Sequence, residues 1–536
     1  MGAMVFTGGP IWTGDGSRPQ ALATAGDRII AVGDLADVRA AVPGAHELVD
    51  LAGRLLIPGL HDAHVHPVQG ALERLRCDLS HLHDRAGYLD AVAAYAAAHP
   101  GRAWITGGGW SMSAFPGGLP IREDLDAVVA DRPVFLPNRD HHSAWVNSAA
   151  LRAAGIDAST PDPRSGRIER SADGSPSGVL HEAAMDLVTP LLPPDTAADY
   201  DHALMEAQRY LFSLGVTGWQ DAIVGSYAGS RDQFGTYVSA AESGRLRARV
   251  AGALWWDRDR GLDQLEDFRA RRRLEGRFVT RTVKIMQDGV AENFTAAMLE
   301  PYVGKDFCGT SNVDPSRLSS YVDALDAAGF AVHFHAIGDR AVRECLDAVA
   351  ASGNTQRHHI AHLHVVDPAD VPRFAALDVT ANIQSLWATH HEQNDTLCAP
   401  FFGPGRVGHQ YPFGDIARAG GRLAAGSDWP VSTPDPWPAM HVAVHRTEPP
   451  GSAESAWPMA QTPMLPEQAL TLEQALRAYT AGSAYVSHLD ERIGTLEPGK
   501  AADLVVLDRD PFAPGTTLHD TRADLVFVDG SPVHER

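Results

Sequence analysis

Residues 54–67 read RLLIPGLHDAHVHP, a short apolar run followed by His61, His64 and His66. His64 and His66 are spaced i, i+2, and on a strand that spacing turns both side chains to one face, with His61 on the other. A strand that enters a protein core ordinarily continues in Val and Ile, so two imidazoles on one face at its end point to chemistry. Neutral imidazole is the commonest metal ligand and also the commonest physiological acid or base, and the pair alone fits either role. His61, facing away from the other two, reads as a packing residue.

The same texture recurs downstream. In TRTVKIM (residues 280–286), Lys284 lies between Val283 and Ile285 and so points away from both. A lysine within an apolar strand is costly unless its charge is compensated or lost, which marks it as functional; the alternative is an edge lysine facing solvent. In AVHFHAIGD, alternation turns His333 and His335 to one side. In HHIAHLHVV it groups His358, Ile360, His362 and His364 against His359, Ala361 and Leu363. Asp428 follows the small apolar run GRLAAGS, and Asp339 sits where the N-cap of a following helix is expected.

Helical stretches separate these runs, among them DRAVRECLDAVAAS, DPADVPRFAAL and TLEQALRAYTAGSAY, the last opened by a Thr471–Gln474 capping box. Strand–helix alternation over roughly 400 residues predicts a parallel α/β fold, a (β/α)8 TIM barrel with insertions, over a doubly wound sheet. Barrels gather their strand C-termini at one mouth, so five strand ends that each offer a ligand-type side chain would converge there. Both chain ends are instead rich in short strands and Asp-Gly turns, such as ALATAGDRIIAVGD and ADLVFVDGSPVHE. The resulting expectation is a small β-sandwich made of residues 1–57 and 490–536, around a barrel of residues 58–489. The Gly- and Pro-rich stretch of about 102–193 reads as an insertion of long loops.

Composition narrows the class. The 536 residues carry 45 Lys+Arg against 67 Asp+Glu, a formal net charge of -22 that disfavours nucleic acid or an anionic membrane as partner. The four cysteines are widely separated, which fits reduced thiols and no disulfide framework. With no signal-like N-terminus and no apolar run of about 18 residues, a soluble cytoplasmic protein is expected.

The order His-x-His, strand Lys, strand His, strand His, strand Asp resembles the amidohydrolase superfamily. The motifs PGLHDAHVHP, GGGW, HSAWVNSAAL, GVTGWQDA, VKIMQDGV, HAIGDRAV, GSDWPVSTPDP, LTLEQALRAYTAGSAY and GTLEPGKAADLVVLD resemble its family 3 branch, which includes N-substituted formamide deformylases. The resemblance implies a (β/α)8 barrel with a terminal β-sandwich. It further implies that His64 and His66 bind the more buried metal, that Lys284 bridges two metals as a carbamate, that His335 and His362 hold the second, and that Asp428 completes the first site and acts as base. The family pattern selects His335 over His333 and His362 over His364. The chain departs from the pattern with Ala361 where relatives often carry Glu, His141 where a Gly commonly stands, and QSLW where Gln-Pro is frequent, all near the expected pocket.

The expected reaction is hydrolysis of a C–N, amide-type bond of a small molecule by metal-activated hydroxide, with Asp428 as general base and then acid. The expected cofactor is one or two divalent ions, zinc foremost, with Mn, Fe or Co as alternatives. The competing readings are a mononuclear-metal deaminase, an ester or lactam hydrolase and a non-catalytic assembly protein. His142, Trp110, Trp387, Trp429 and Glu182 are candidate substrate-binding residues. Set against them are a loop histidine packed beside Trp145, tryptophans used for packing and a surface helical glutamate. A homodimer is the candidate assembly.

Overall fold

A computed structural model describes residues 2–42, 44–164, 166–227 and 230–536. Its centre is a sheet of eight parallel strands: β1 (Leu60–Val65), β2 (Val216–Val224), β3 (Arg249–Trp255), β4 (Phe278–Met286), β5 (Ala331–Ala336), β6 (His359–His362), β7 (Thr380–Ile383) and β8 (Leu423–Ala425). Sequence neighbours are hydrogen-bonded neighbours throughout, the order of a (β/α)8 barrel; a doubly wound sheet would reverse direction at a switch point. Helices on the outside bury the strands' outer faces, as parallel sheets require. Each is started by local chemistry. Thr196 and Asp199 form a capping box on the helix Ala197–Ser213, Asp314 caps Pro315–Ala327, and Thr471 with Gln474 forms the expected box on Leu472–Arg477. Asp339 differs from expectation: Gly338 is the N-cap, and the Asp339 carboxylate accepts the Leu299 N–H (2.8 Å) from a neighbouring loop.

The ring closes where β8 meets β1. The Asp428 N–H donates to the His64 carbonyl (2.7 Å), and the Ser427 N–H donates to the Asp62 carboxylate (3.1 Å). Gly426 permits this approach, since a Cβ there would stand 2.5 Å from the His64 nitrogen.

The chain ends build two four-stranded sheets. One orders Arg28–Gly33, Ala21–Ala25, Ala3–Thr7 and His46–Asp50; the other orders Ser531–Glu535, Ala523–Val528, Leu504–Leu507 and Leu56–Pro58. Their inner faces share a core that includes Phe6, Leu22, Leu56, Leu504, Val506 and Phe527, with Phe6 and Phe527 edge to face at 5.4 Å. Pro58 pairs with Leu504 in the second sheet, so the chain enters the barrel just after it, through Gly59. Arg249 at the start of β3 reaches Asp503 (2.6 Å) and Asp529, tying this module to the barrel floor.

The Gly- and Pro-rich insertion is more ordered than its composition suggested. From Cys77 to Glu182 it holds a six-stranded sheet with its own cores, one around Trp110, Trp145 and Phe115 and another around Leu151, Ile168 and Leu180. Its strands are short, three of four residues and one of two, so turn residues dominate the stretch and hide them from a reading by composition.

Candidate metal centre

At the end of β1, alternation holds: Asp62, His64 and His66 face the barrel axis, and His61 faces outward, its Nε2 2.8 Å from Ser487 Oγ. His64 Nδ1 shares a 2.9 Å hydrogen bond with His333 Nε2, which fixes the ring and turns Nε2 toward Asp428 Oδ1 at 3.3 Å. His66 Nε2 lies 3.0 Å from the same oxygen. The donor atoms of His64, His66 and Asp428 all fall within 4.8 Å of one another. Burial and the nearby Lys284 push His64 down to about 3, which keeps its imidazole neutral and ligand-competent. Burial alone would raise Asp428; His64, His66 and His362 outweigh it and hold the carboxyl well below the usual range.

Lys284 on β4 is 1% exposed and faces the same space, its Nζ without a hydrogen-bond partner among the described residues. Burial pushes its amine down to about 7, with Asp428 opposing. On β5, His333 and His335 both face inward at different depths. His333 braces His64, whereas His335 stands at the mouth with Nδ1 3.3 Å from Asp288 Oδ1. Asp288 is itself held by the backbone N–H groups of Ala297, Ile337 and Gly338.

On β6 the expected grouping fails. His359, not His358, faces inward, its ring 4.2 Å from His333, and Ile360 packs into the main hydrophobic core. His362 would therefore point outward by alternation. A left-handed backbone (φ 80°) instead turns it into the mouth, where its ring lies 4.4 Å from His335 and 4.7 Å from His64 and stacks on Trp387 at 5.3 Å and 14°. Asp428 (φ 57°), His141 (φ 63°) and Glu182 (φ 51°) share that conformation. Non-glycine residues adopt it at a cost that folds accept chiefly at functional sites. His364 lies behind the mouth, hydrogen-bonded to Asn394 and Gln410.

These residues fit a divalent cation. Lys284 Nζ is buried without a hydrogen bond among the described residues, and His64, His66 and His362 crowd round the buried Asp428 carboxylate, an arrangement that a shared cation would stabilise. A nitrogen and oxygen donor set without sulfur suits zinc or another first-row ion.

The mouth opens into a cavity of about 990 Å³. His142, Trp387 and Trp429 reach its wall together with His64, His66, Lys284, His335, His362 and Asp428. Trp110 and Glu182 do not, which corrects their assignment as pocket residues. Trp110 is fully buried in the insertion core and donates its indole N–H to the Leu136 carbonyl (2.7 Å). Glu182 ends a strand and not a helix, and it lies behind His142, 3.0 Å from Nδ1. Burial works against charge on His142, but the Glu182 carboxylate outweighs it and pushes the imidazole up to about 9. The His142 and His335 rings are 6.0 Å apart. His141 pairs in the same way with Glu73 (3.1 Å).

Asp62 and Asp288 escaped the sequence reading, and His333 was placed on the inner face of its strand but set aside in favour of His335. Each orients a candidate ligand from within the barrel, and the two aspartates were hinted at only by standing two and four residues from one. A family model described as an amidohydrolase family matches residues 47–534. The chain is 31% identical over 524 residues to the protein LONG AFTER FAR-RED 3 of Arabidopsis thaliana, covering 94% of this chain and 87% of that one. It is 27% identical over 550 residues to the N-substituted formamide deformylase of Arthrobacter pascens, covering 97% and 96%. An uncharacterized metal-dependent hydrolase from Pyrococcus furiosus superposes with a TM-score of 0.72 at 26% identity, covering 95% of this chain and all of that one.

Proposed function

This chain belongs to the amidohydrolase family and is a metal-dependent hydrolase, and from that premise we propose that it cleaves the C–N bond of a small-molecule amide with water. The observation that carries this reading is the convergence of His64, His66, Lys284, His335, His362 and Asp428 on one mouth, with the Lys284 amine unpartnered among the described residues and three imidazoles turned toward the Asp428 carboxylate. His64, His66 and Asp428 would hold one divalent ion, and His335 and His362 a second, with Lys284 between them. Bound there, the cation supplies a Lewis acid and lowers the pKa of water toward neutrality. Zinc is the favoured ion on donor chemistry.

Lys284 is the residue for carboxylation. Its unprotonated amine adds to the carbon of carbon dioxide and releases a proton, and the resulting anionic carbamate offers two oxygens where a lone amine offers one nitrogen. Asp428 takes the proton of the attacking water and returns it to the departing nitrogen, because an amide anion is too basic to leave unprotonated. His142, charged through Glu182, donates a hydrogen bond to the carbonyl oxygen as negative charge builds on it. Trp387 and Trp429 provide apolar contact for the substituent on nitrogen or carbon. The name of the Arthrobacter pascens relative supports small N-substituted formamides as the first substrates to try.

A screen of N-formyl, N-acyl and cyclic amides with metal-loaded protein, read by release of the amine, tests the proposal. Turnover of at least one amide class, abolished by chelation, is expected. Turnover confined to esters, or ammonia release confined to aminated heterocycles, would transfer the site to one of those reactions.

A further inference from the structure

The interior of a (β/α)8 barrel is ordinarily filled with branched apolar side chains. Beneath the metal mouth this one carries two imidazoles side by side. His333 on β5 and His359 on β6 are neighbours in the strand register, both are fully buried, and their rings touch at 4.2 Å and 58°. β5 stands opposite β1 in the ring of eight strands, so His333 reaches across the barrel axis to His64, Nε2 to Nδ1 at 2.9 Å. His64, His333 and His359 form a column that starts at the candidate metal ligand and ends in the barrel core. Of the three, only His64 lines the cavity.

Counting protons gives this column a direction. Burial drives the charged form off all three rings, and a neutral imidazole has one N–H donor and one bare acceptor. The bond between His64 Nδ1 and His333 Nε2 can therefore run either way. If His333 donates, the His64 proton sits on Nε2, 3.3 Å from Asp428 Oδ1, where it closes that nitrogen to a cation. If His64 donates, its Nε2 is a bare lone pair ready for a cation, and the single proton of His333 moves to Nδ1. That nitrogen is buried and makes no hydrogen bond among the described residues. The metal-ready arrangement thus needs a polar partner for His333 Nδ1, and the ring packed against His333 in the core is that of His359. No side chain bonds either nitrogen of His359, and the Arg357 carbonyl is the backbone acceptor beside it. With its one proton turned to that carbonyl, the other nitrogen of His359 is a bare acceptor.

We propose that His359 is a positioning residue for the metal centre: acting through His333, it selects the tautomer in which His64 Nδ1 donates and His64 Nε2 is free to bind the ion. The proposal rests on the reading of His64 as a ligand and adds a device two side chains removed from the ion. Loading balances in protons. The His64 Nε2 proton leaves, the His333 Nε2 proton passes to His64 Nδ1, and His333 takes up one proton at Nδ1. The column carries three protons before and after.

Zinc affinity of the metal-stripped full chain, measured by competition with a chelating dye, tests the proposal. His359→Leu, which fills the space without an acceptor, is expected to weaken zinc binding by about 10–100-fold. His359→Gln, which restores a polar acceptor, should recover most of that loss even where the two variants melt alike without metal. Nitrogen NMR of protein labelled with 15N in its histidines supplies a signature that packing alone does not. On zinc addition His333, which is not itself a candidate ligand, should convert from Nε2–H to Nδ1–H, its signals being assigned by their absence in His333→Gln. Unchanged His333 nitrogens would overturn the proposal. His64→Ala separates the two levels: loss of zinc affinity there beside wild-type affinity in His359→Leu would sink the role of His359 and leave the ligand reading standing. Wild-type affinity in both variants would remove both.

Discussion

Asp428 concentrates the chemistry of one residue. Its carboxylate faces His64 and His66 within 3.3 Å, and a left-handed backbone holds it there. Asp428→Asn keeps a ligating oxygen but removes the base, so kcat should fall by about 10²–10⁴ while metal content stays near the wild-type level. Steady-state rates beside elemental analysis check both halves, and near-normal turnover would rule out Asp428 as the base. His142 makes a different demand, because it must be charged to serve as a donor. With its imidazole raised to about 9 by Glu182, the protonated form is complete below about 6.5 and is lost as pH rises through about 9. Activity should therefore decline on the alkaline side. In Glu182→Gln that decline should move to lower pH, a displacement that a pH–rate profile of kcat/KM reads directly. The role of Asp428 was expected from the family resemblance, and His142 and Glu182 were both substrate-binding candidates, but that one charges the other was not legible. The pairing joins a strand end to a loop 40 residues away in sequence, and no local pattern encodes it.

At the scale of elements, alternation accounted for β1, β4 and β5 and failed on β6. There the period-2 rule sends His359 and Ala361 inward, and His362 reaches the mouth only because its φ is positive. Local backbone conformation thus decides a ligand that strand periodicity would have discarded. The seam between β8 and β1 depends on backbone contact in the same way. Gly426→Ala would drive a methyl group to 2.5 Å from the His64 nitrogen, so it should destabilise the protein by about 1–3 kcal/mol and lower metal occupancy. Denaturant midpoints and metal analysis measure the two effects. At the floor of the barrel, Arg249→Leu would leave the buried Asp503 carboxylate without its guanidinium, at a cost of about 3–5 kcal/mol. The double variant with Asp503→Leu should recover part of that loss, a cycle readable by chemical denaturation.

For the whole molecule, the proposed catalytic ion would also be a structural element. The mouth brings together candidate donors from the ends of β1, β4, β5 and β6 and the turn after β8, so a cation held there would link five of the strands. Chelator-treated protein should be inactive and less stable than metal-loaded protein, by about 4 kcal/mol at a free metal concentration a thousand times Kd. Calorimetry before and after adding back a divalent ion checks this. Among the described residues no helix is long and apolar enough to cross a membrane. The two chain ends meet in one sandwich whose sheets are both needed to cover the core between them. That arrangement makes the module depend on residues about 500 positions apart.

The sequence by itself determined the barrel and most of its candidate ligands. Strand and helix periods are local, and a parallel barrel turns strand order directly into proximity at one mouth. Tertiary structure alone decided which histidines brace and which face the cavity, that His142 carries the charge Glu182 allows, and that Trp110 lies in a core. It also decided that a stretch rich in Gly and Pro is a folded sheet. Each of these depends on contacts between segments distant in sequence or on a single backbone angle, and neither leaves a periodic trace in the order of residues.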